Sequence, residues 1–398
     1  MALETLALVI VSTAILASTV WPYRKPAVFM ISAVLLTSLL GINVEELVDP
    51  RLLEVLVITF ALLIISGLLR YSNFFEFVTT KVSSRVNTPL AMFLAINLTA
   101  ALLSAVAATS LVLLYMVTVT IELAVRHKVN PKPLLLSMLI SSNVASMATM
   151  VGDLSNIIIA TCVGFSYSYF LYKMGLIAFI DLIIVLIPLY MAFKDQLEVP
   201  SEISEVSWDY YKLSFSSAIL TMFLGLSIVS GFFKASEASI MAAIAVAILF
   251  IGGEKMKEIY EKIEWEVILY LGALLLTMRA FSHSGAPGLV PLKQIDPITS
   301  FMISLGLSAF IDDAEAASLA ISLLRDVNLS ESVWWGFVMG TSLGSAISPL
   351  GSIANLIALR RANRLGIPIT FLDYVKVSVP SVAIATLASL LALAGGLI

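Results

Sequence analysis

Apolar runs of membrane-spanning length recur from one end of the chain to the other, and no other feature restricts its fold so strongly. The clearest cover 3–20, 27–40, 52–69, 176–193, 213–233, 239–251, 267–281 and 375–397. A transmembrane helix needs about 20 predominantly apolar residues. Shorter runs such as 27–40 are completed by flanking residues or by local thinning of the bilayer. Of the 398 residues, 60% are hydrophobic and 13% charged, whereas a soluble domain uses about 25% charged residues. A soluble helical protein of this size would need polar faces that the chain lacks. The first run has neither a basic leader nor a small-residue cleavage site, so it reads as a retained span. The single cysteine, Cys162, excludes an internal disulfide and a four-cysteine metal site, and reads as a packing residue. The net charge of −4 averages over loops on both faces and says little.

Basic residues near span ends favour the cytoplasmic side. With the N-terminus outside, 17 of the 23 Lys and Arg fall inside. They include Arg24, Lys25, Arg70, Arg85, Arg126, Lys128, Lys132, Lys255, Lys262 and the Arg360, Arg361, Arg364 cluster. Arg51, Lys173, Lys234, Arg279, Lys293 and Arg325 remain outside, and the opposite orientation inverts the bias. This assignment gives ten spans and two re-entrant hairpins in an all-α polytopic membrane protein. The polar stretch 194–212 reads as a cytoplasmic linker between repeats at 1–193 and 213–398. Each repeat then holds five spans, one hairpin and one broken helix. An odd number of spans inverts the second repeat, a common plan for secondary transporters.

Self-comparison supports the division. Residues 141–160 read SSNVASMATMVGDLSNIIIA and 340–359 read GTSLGSAISPLGSIANLIAL, at a constant offset of 199. Ser146 matches Ser345, Gly152 matches Gly351, Asn156 matches Asn355 and Ile158 matches Ile357. Similar endings follow, KMGLIAFID at 173–181 and RLGIPITFLD at 364–373. The broken helices are placed at 134–163 and 332–360. Glycine lets a helix unwind and lets backbone approach a ligand closely. Unwound backbone at membrane depth is tolerated where it is buried or lines a cavity. The freed N–H groups near Gly152 and Gly351 can hold an anion, and the Ser, Thr and Asn oxygens can replace a cation's hydration shell. Tight packing of small residues accounts for Gly and Ser, but not for the two Asn residues or Asp153. Intramembrane ionisable residues are functional by default.

Upstream of each broken helix lies an apolar stretch too long for one span and too short for two, at 89–123 and 297–324. A helical hairpin dipping partway into the membrane fits both. Aligning the shared Leu-Ser-Ala sets Thr109 and Ser110 opposite Asp313 and Ala314. The second tip carries Asp312, Asp313 and Glu315, which cannot all stay ionised at membrane depth without cations. At an outer surface the same three would be a solvated acidic turn. His127 and His283 fall in loops, with solvated roles.

These residues resemble the ion transporter superfamily: arsenite permeases, the pink-eyed-dilution protein, sodium/proton antiporters and divalent anion/sodium symporters. The arsenite-permease and pink-eyed branches carry Gly-Asp-Pro-Pro-Asn-Ile-x-Ile-Ala after a Thr-rich stretch. Here Gly152-Asp153-Leu154-Ser155-Asn156-Ile157-Ile158-Ile159-Ala160 matches it, with Leu154-Ser155 for the prolines. The family's second hairpin is similar to Leu307-Ser308-Ala309-Phe310-Ile311-Asp312, after which acids replace Asn and Pro. The first hairpin has Ala108, Thr109 and Ser110 where the symporters have Ser-Asn-Thr and the arsenite permeases Asn-Asp. The resemblance implies a homodimer with a scaffold and a moving, elevator-type transport domain. It also implies a substrate site formed by the two hairpins and two broken helices.

The candidate substrate- and ion-binding residues are Thr109, Ser110, Ser142, Asn143, Thr149, Gly152, Asp153 and Asn156 in the first half. In the second they are Asp312, Asp313, Glu315, Ser342, Ser348, Gly351, Ser352 and Asn355. Asp153, Asn156, Asp313 and Asn355 are the candidate sodium ligands. The leading expectation is a secondary transporter of a small inorganic anion or metalloid oxyacid, arsenite-permease-like and driven by protons or sodium. A cation/proton antiporter would suit the acidic hairpin. A di- or tricarboxylate symporter is disfavoured by the missing Ser-Asn-Thr. A channel would need a continuous polar path. No catalytic constellation or phosphate loop points to an enzyme, and no cofactor beyond the coupling ion or nucleic-acid partner is expected.

Overall fold

A computed structural model describes residues 2–83, 86, 88–107, 109–197, 210–233, 237–252, 256–261, 263–290, 295–324, 327–396 and 398. Among them there is no strand. In the first half the helices are α1 (Ala2–Val20), α2 (Lys25–Leu40), α3 (Val44–Leu47), α4 (Pro50–Tyr71) and α5 (Phe74–Ser83). They continue with α6 (Pro89–Val106), α7 (Thr109–His127), α8 (Pro131–Ser146), α9 (Leu154–Val163) and α10 (Tyr167–Phe193). The second half comprises α11 (Tyr210–Phe233), α12 (Glu237–Gly252), α13 (Met256–Tyr260), α14 (Trp265–His283) and α15 (Pro297–Phe310). It ends with α16 (Asp313–Leu324), α17 (Glu331–Ile347), α18 (Ile353–Arg364) and α19 (Phe371–Ala394). Several starts are written in the sequence as a cap followed by proline. Asp49, Thr88, Asn130 and Asp296 each accept a first-turn N–H just before Pro50, Pro89, Pro131 or Pro297.

Seven helical segments among the described residues are long and apolar enough to cross a membrane. They are Ala2–Val20, Pro22–Leu40, Pro50–Tyr71, Pro89–Val106, Tyr167–Gln196, Trp265–His283 and Phe371–Ala394. The protein is thus an all-α, multi-pass membrane protein. Two further expected spans are divided into shorter pieces, α8 with α9 and α17 with α18. The stretches Leu213–Ser227 and Ala238–Phe250 are apolar but shorter. Of the linker, 198–209 lies outside the described residues, as do Ala108, Arg85, Lys234, Lys255, Lys262, Lys293 and Arg325.

Two expectations are corrected. His127 is the last residue of α7 and is buried, not a solvated loop residue, because α7 runs a full turn further than 123. The similar endings at 173–181 and 364–373 are not structural equivalents. Asp181 lies in the interior of α10, buried, and accepts from Ser389 Oγ of α19 at 2.7 Å. Asp373 instead sits in the first turn of α19, in a capping box with Thr370. A shared aspartate after a short apolar run did not fix its place in the helix.

Both candidate hairpins pack against the first piece of the broken helix that follows them, α6 on α8 and α15 on α17. The second contact is a seam of small residues. Gly336, Gly340 and Gly344 recur every four residues on α17, and Ser300, Ser304 and Ser308 do so on α15. Residues four apart share one helix face. A Cβ at Gly336 or Gly340 would overlap Ser300 Oγ or Ser304 Oγ, and one at Gly344 would crowd Ser308. The close approach lets Ser300 Oγ donate to Val333 O at 2.8 Å and Ser308 Oγ to Thr341 O at 2.9 Å. Small residues drive helix association where lipid supplies no hydrophobic force. Gly340→Ala should therefore destabilise the purified protein by about 1–3 kcal/mol, read as a lower melting temperature. Gly306→Ala, on α15 but with nothing within 4 Å, should leave melting almost unchanged.

Candidate functional site

Each helix break is closed on itself and tied to its own hairpin by the same pair of contacts. Asn156 Nδ2 reaches back to Ser146 O at 2.9 Å, and Asn355 Nδ2 to Ser345 O at 3.0 Å. Thr149 Oγ1 donates to Ala105 O of the first hairpin, and Ser348 Oγ to Ala309 O of the second. The partners in the breaks stand 199 residues apart in both cases. The logic is local: an interrupted helix exposes carbonyls that need donors away from water. Short Asn, Ser and Thr side chains provide them. At the first tip, Thr109 offers both its N–H, at 3.0 Å, and its Oγ1, at 2.8 Å, to Gly152 O.

The second half-helices, α9 and α18, begin with a carboxylate on their first N–H, but from different places. Asp153 Oδ1 accepts from Leu154 N at 2.8 Å, as an N-cap in its own chain position. Ser352 stands at the equivalent position of α18 and makes no side-chain cap. There Asp312, from the hairpin tip, accepts Ile353 N on Oδ2 at 2.9 Å. The N–H groups of Gly152 and Gly351 are engaged by Thr149 O and Ser348 O. The N–H groups of the two glycines are thus closed by their own turns, and the first N–H of each second half-helix by a carboxylate.

The acidic tip is internal. Asp312, Asp313 and Glu315 are 2%, 3% and 0% exposed, which excludes a solvated surface turn. Lys25 is only 2% exposed and is not the loop charge of the topology tally. It begins α2 after the short turn Pro22–Arg24. Its Nζ lies 2.8 Å from Glu315 Oε1 and 3.2 Å from Asp312 Oδ2. Tyr270 OH of α14 donates to Asp312 Oδ1 at 2.9 Å and meets Glu315 Oε1 at 3.2 Å. Ser18 Oγ of α1 reaches Glu315 Oε1 at 2.8 Å. Ser18, Lys25 and Tyr270 were not among the candidates. A lysine next to Pro26 and one tyrosine in an apolar run carry no periodic signal of such a role.

Asp313 lies close to Asp153 of the first half, and the two buried carboxyl groups interact. Two carboxylates side by side away from water repel unless a proton or a cation lies between them. The acids thus form one buried cluster, not two separate endowments of the halves. Asp313 Oδ2 and Glu315 Oε2 have no hydrogen-bond partner, nor do Asn143 Oδ1, Asn156 Oδ1, Ser142 Oγ and Ser342 Oγ. Of the candidate sodium ligands, Asp153 and Asp313 touch, whereas Asn355 Oδ1 accepts from Asn143 Nδ2 at 2.8 Å. No group of three or more His, Cys, Asp or Glu among the described residues is arranged to hold a metal ion. Beside the cluster, a small cavity of about 50 Å³ is lined by Lys25, Ser110, Leu154, Tyr270 and Ile353. It also reaches Glu264 and the exposed Glu266.

A multi-pass helical protein whose broken helices and hairpins meet over buried polar groups has the construction of a membrane transporter. Residues 6–336 match the citrate transporter family, CitMHS, and the chain belongs to it. It is 23% identical over 366 residues to a 46 kDa membrane protein of Mycobacterium leprae, covering 83% of this chain and 84% of that one. An uncharacterized transporter of Mycobacterium bovis is 23% identical over 363 residues, 84% of this chain and 85% of that one. The magnetosome protein MamN of Paramagnetospirillum magneticum is 20% identical over 303 residues, 67% and 69%.

The amide of Asn156 also donates to Thr149 O at 3.0 Å, so it closes the first break twice. Asn156→Ala should cost about 1–3 kcal/mol by leaving buried carbonyls unpaired. Ser155→Ala removes a buried hydroxyl that has no partner and should be close to neutral. Thermal melts of the two purified variants check the contrast.

Proposed function

We propose that this chain is a proton-coupled secondary transporter whose coupling proton resides on the Asp153–Asp313 carboxyl pair. The observation that carries this reading is the approach of these two buried carboxyl groups, which joins a broken helix to the opposite hairpin and is relieved of its repulsion by one proton. Release of that proton leaves two buried anions side by side, so the pair favours different arrangements in its two states. Sodium fits less well, because Asn355 Oδ1 is already engaged by Asn143.

The same site argues for a solute without a bare negative charge. Lys25 is committed to two carboxylates, and the first N–H of each second half-helix holds another. We therefore favour a small uncharged metalloid oxyacid of the arsenite type, held by the unpartnered oxygens and hydroxyls of Asn143, Asn156, Ser142 and Ser342. A second reading, a polycarboxylate such as citrate, is favoured by the family match. In this site a polycarboxylate would have to travel with a cation. Exchange of a cation against protons would use the same carboxyl pair. In keeping with the basic-residue tally, the N-terminus lies outside and the linker is cytoplasmic. The resemblance to the wider superfamily supports an elevator motion in a homodimer.

Flux in proteoliposomes separates these readings. Arsenite, or citrate with and without Mg²⁺, should be driven by a pH gradient with sodium absent. Transport driven equally by sodium at uniform pH would overturn the proton assignment, and proton movement exchanged for a metal cation alone would remove the oxyacid. Asp153→Asn and Asp313→Asn should each lower coupled flux roughly tenfold or more while the protein still assembles. Normal flux in both would reduce the pair to a structural contact.

A further inference from the structure

Lys25 comes from a different part of the molecule than the acids it meets. The ammonium is carried by α2, which packs on α1 and α14, while Asp312 and Glu315 belong to the second hairpin. The three packed helices each send one polar group to the same place: Ser18, Lys25 and Tyr270. The surroundings of Nζ are those of a cation site. Two carboxylates lie at 2.8 and 3.2 Å, and the face of Tyr270 lies beneath at 5.1 Å from its centroid. Two hydroxyls already point at Glu315 Oε1, and Glu315 Oε2, fully buried, has no partner at all. Hard oxygens in this number suit an ammonium or an alkali cation. The first hairpin has no counterpart, since Ala108 and Leu111 stand where the second has Asp312 and Glu315.

We propose that Lys25 is a tethered cation: it permanently fills a monovalent-cation site formed by Asp312, Glu315, Tyr270 and Ser18. With the lysine in place the site needs no ion from solution, and Asp312 and Glu315 are both paired with it. Only the Asp153–Asp313 pair is then left to exchange a charge. Without the lysine the four oxygen-bearing groups would take a small monovalent cation. This inference deepens the transporter reading by dividing the acids into a fixed pair and an exchanging pair, but it does not depend on transport to be tested.

The test is melting of the full-length purified protein in detergent, at constant ionic strength, in choline, sodium or methylammonium chloride. Wild type should melt at the same temperature in all three. Lys25→Ala should melt roughly 5 °C or more lower in choline and recover most of that in sodium or methylammonium, which are small enough to enter. Adding Glu315→Gln to Lys25→Ala removes the uncompensated carboxylate, so the double variant should lose the salt response. Equal melting of Lys25→Ala in all three salts overturns the proposal, as does an equal response of the double variant. Should Lys25→Ala be recovered only when purified in sodium or methylammonium, while the double variant folds in choline, the proposal stands. Failure of both variants in every salt makes Lys25 a packing residue, and the proposal falls. Because no solute is involved, a negative flux result and a negative melting result remain separate findings.

Discussion

Everything in the polar centre follows from two helices that stop and restart where there is no water to satisfy their ends. Each break frees carbonyls from the incoming piece and N–H groups on the outgoing one, and each such group left bare costs several kcal/mol in hydrocarbon. The chain answers with the shortest side chains that carry donors. Asn156 and Asn355 close the carbonyls of α8 and α17, while Thr149 and Ser348 anchor the breaks to the hairpins. The hairpins are thus held to the breaks by necessity, each beside its own break. A site between them arises from the need to satisfy backbone before any solute is considered.

The outgoing N–H groups explain where the charges are. A carboxylate is the strongest available partner for a helix N-terminus, and both α9 and α18 have one. Asp153 supplies the first from its own position; Asp312 supplies the second from across the hairpin because Ser352 does not. Importing a cap brings negative charge in from the side, next to Asp313 and Glu315. That excess cannot be left unpaired in a low-dielectric interior, and Lys25, reinforced by Tyr270 and Ser18, offsets it.

The broad plan was legible because it rests on composition and on local patterns. Runs of apolar residues gave the multi-pass helical fold, and polar residues in an apolar chain marked both breaks. Apolar stretches of an awkward length marked the segments that pack against them. What was hidden depends on contacts distant in sequence. Lys25 and Glu315 are separated by 290 positions, and a lysine near a span end is ordinarily a topology signal. Asp153 and Asp313 were joined in the sequence reading only as candidate sodium ligands, since no local feature says that their carboxyl groups will meet. The glycines of the breaks read as open backbone for a ligand, yet their N–H groups are closed by their own turns. His127 was misplaced for a simpler reason, the difficulty of locating a helix end without a cap or proline.

The two carboxyl pairs are not equivalent, and their difference bears on how a charge could move a helix. Asp312 is saturated: Lys25 and Ile353 N share one oxygen, and Tyr270 and Ala314 N share the other. Its hold on α18 does not depend on a proton. Asp153 has Leu154 N on one oxygen and only a long contact from Ser146 Oγ, at 3.4 Å, on the other. Its remaining partner is Asp313. The cap of α9 is therefore shared with a group whose attraction turns to repulsion when a single proton leaves, and α9 packs directly on α16, which Asp313 begins. One break is clamped by a fixed ammonium, and the other, on the proposed reading, by an exchangeable proton. With two breaks closed by the same local contacts, that proposed difference would make one half-helix junction sensitive to the coupling ion and leave the other rigid.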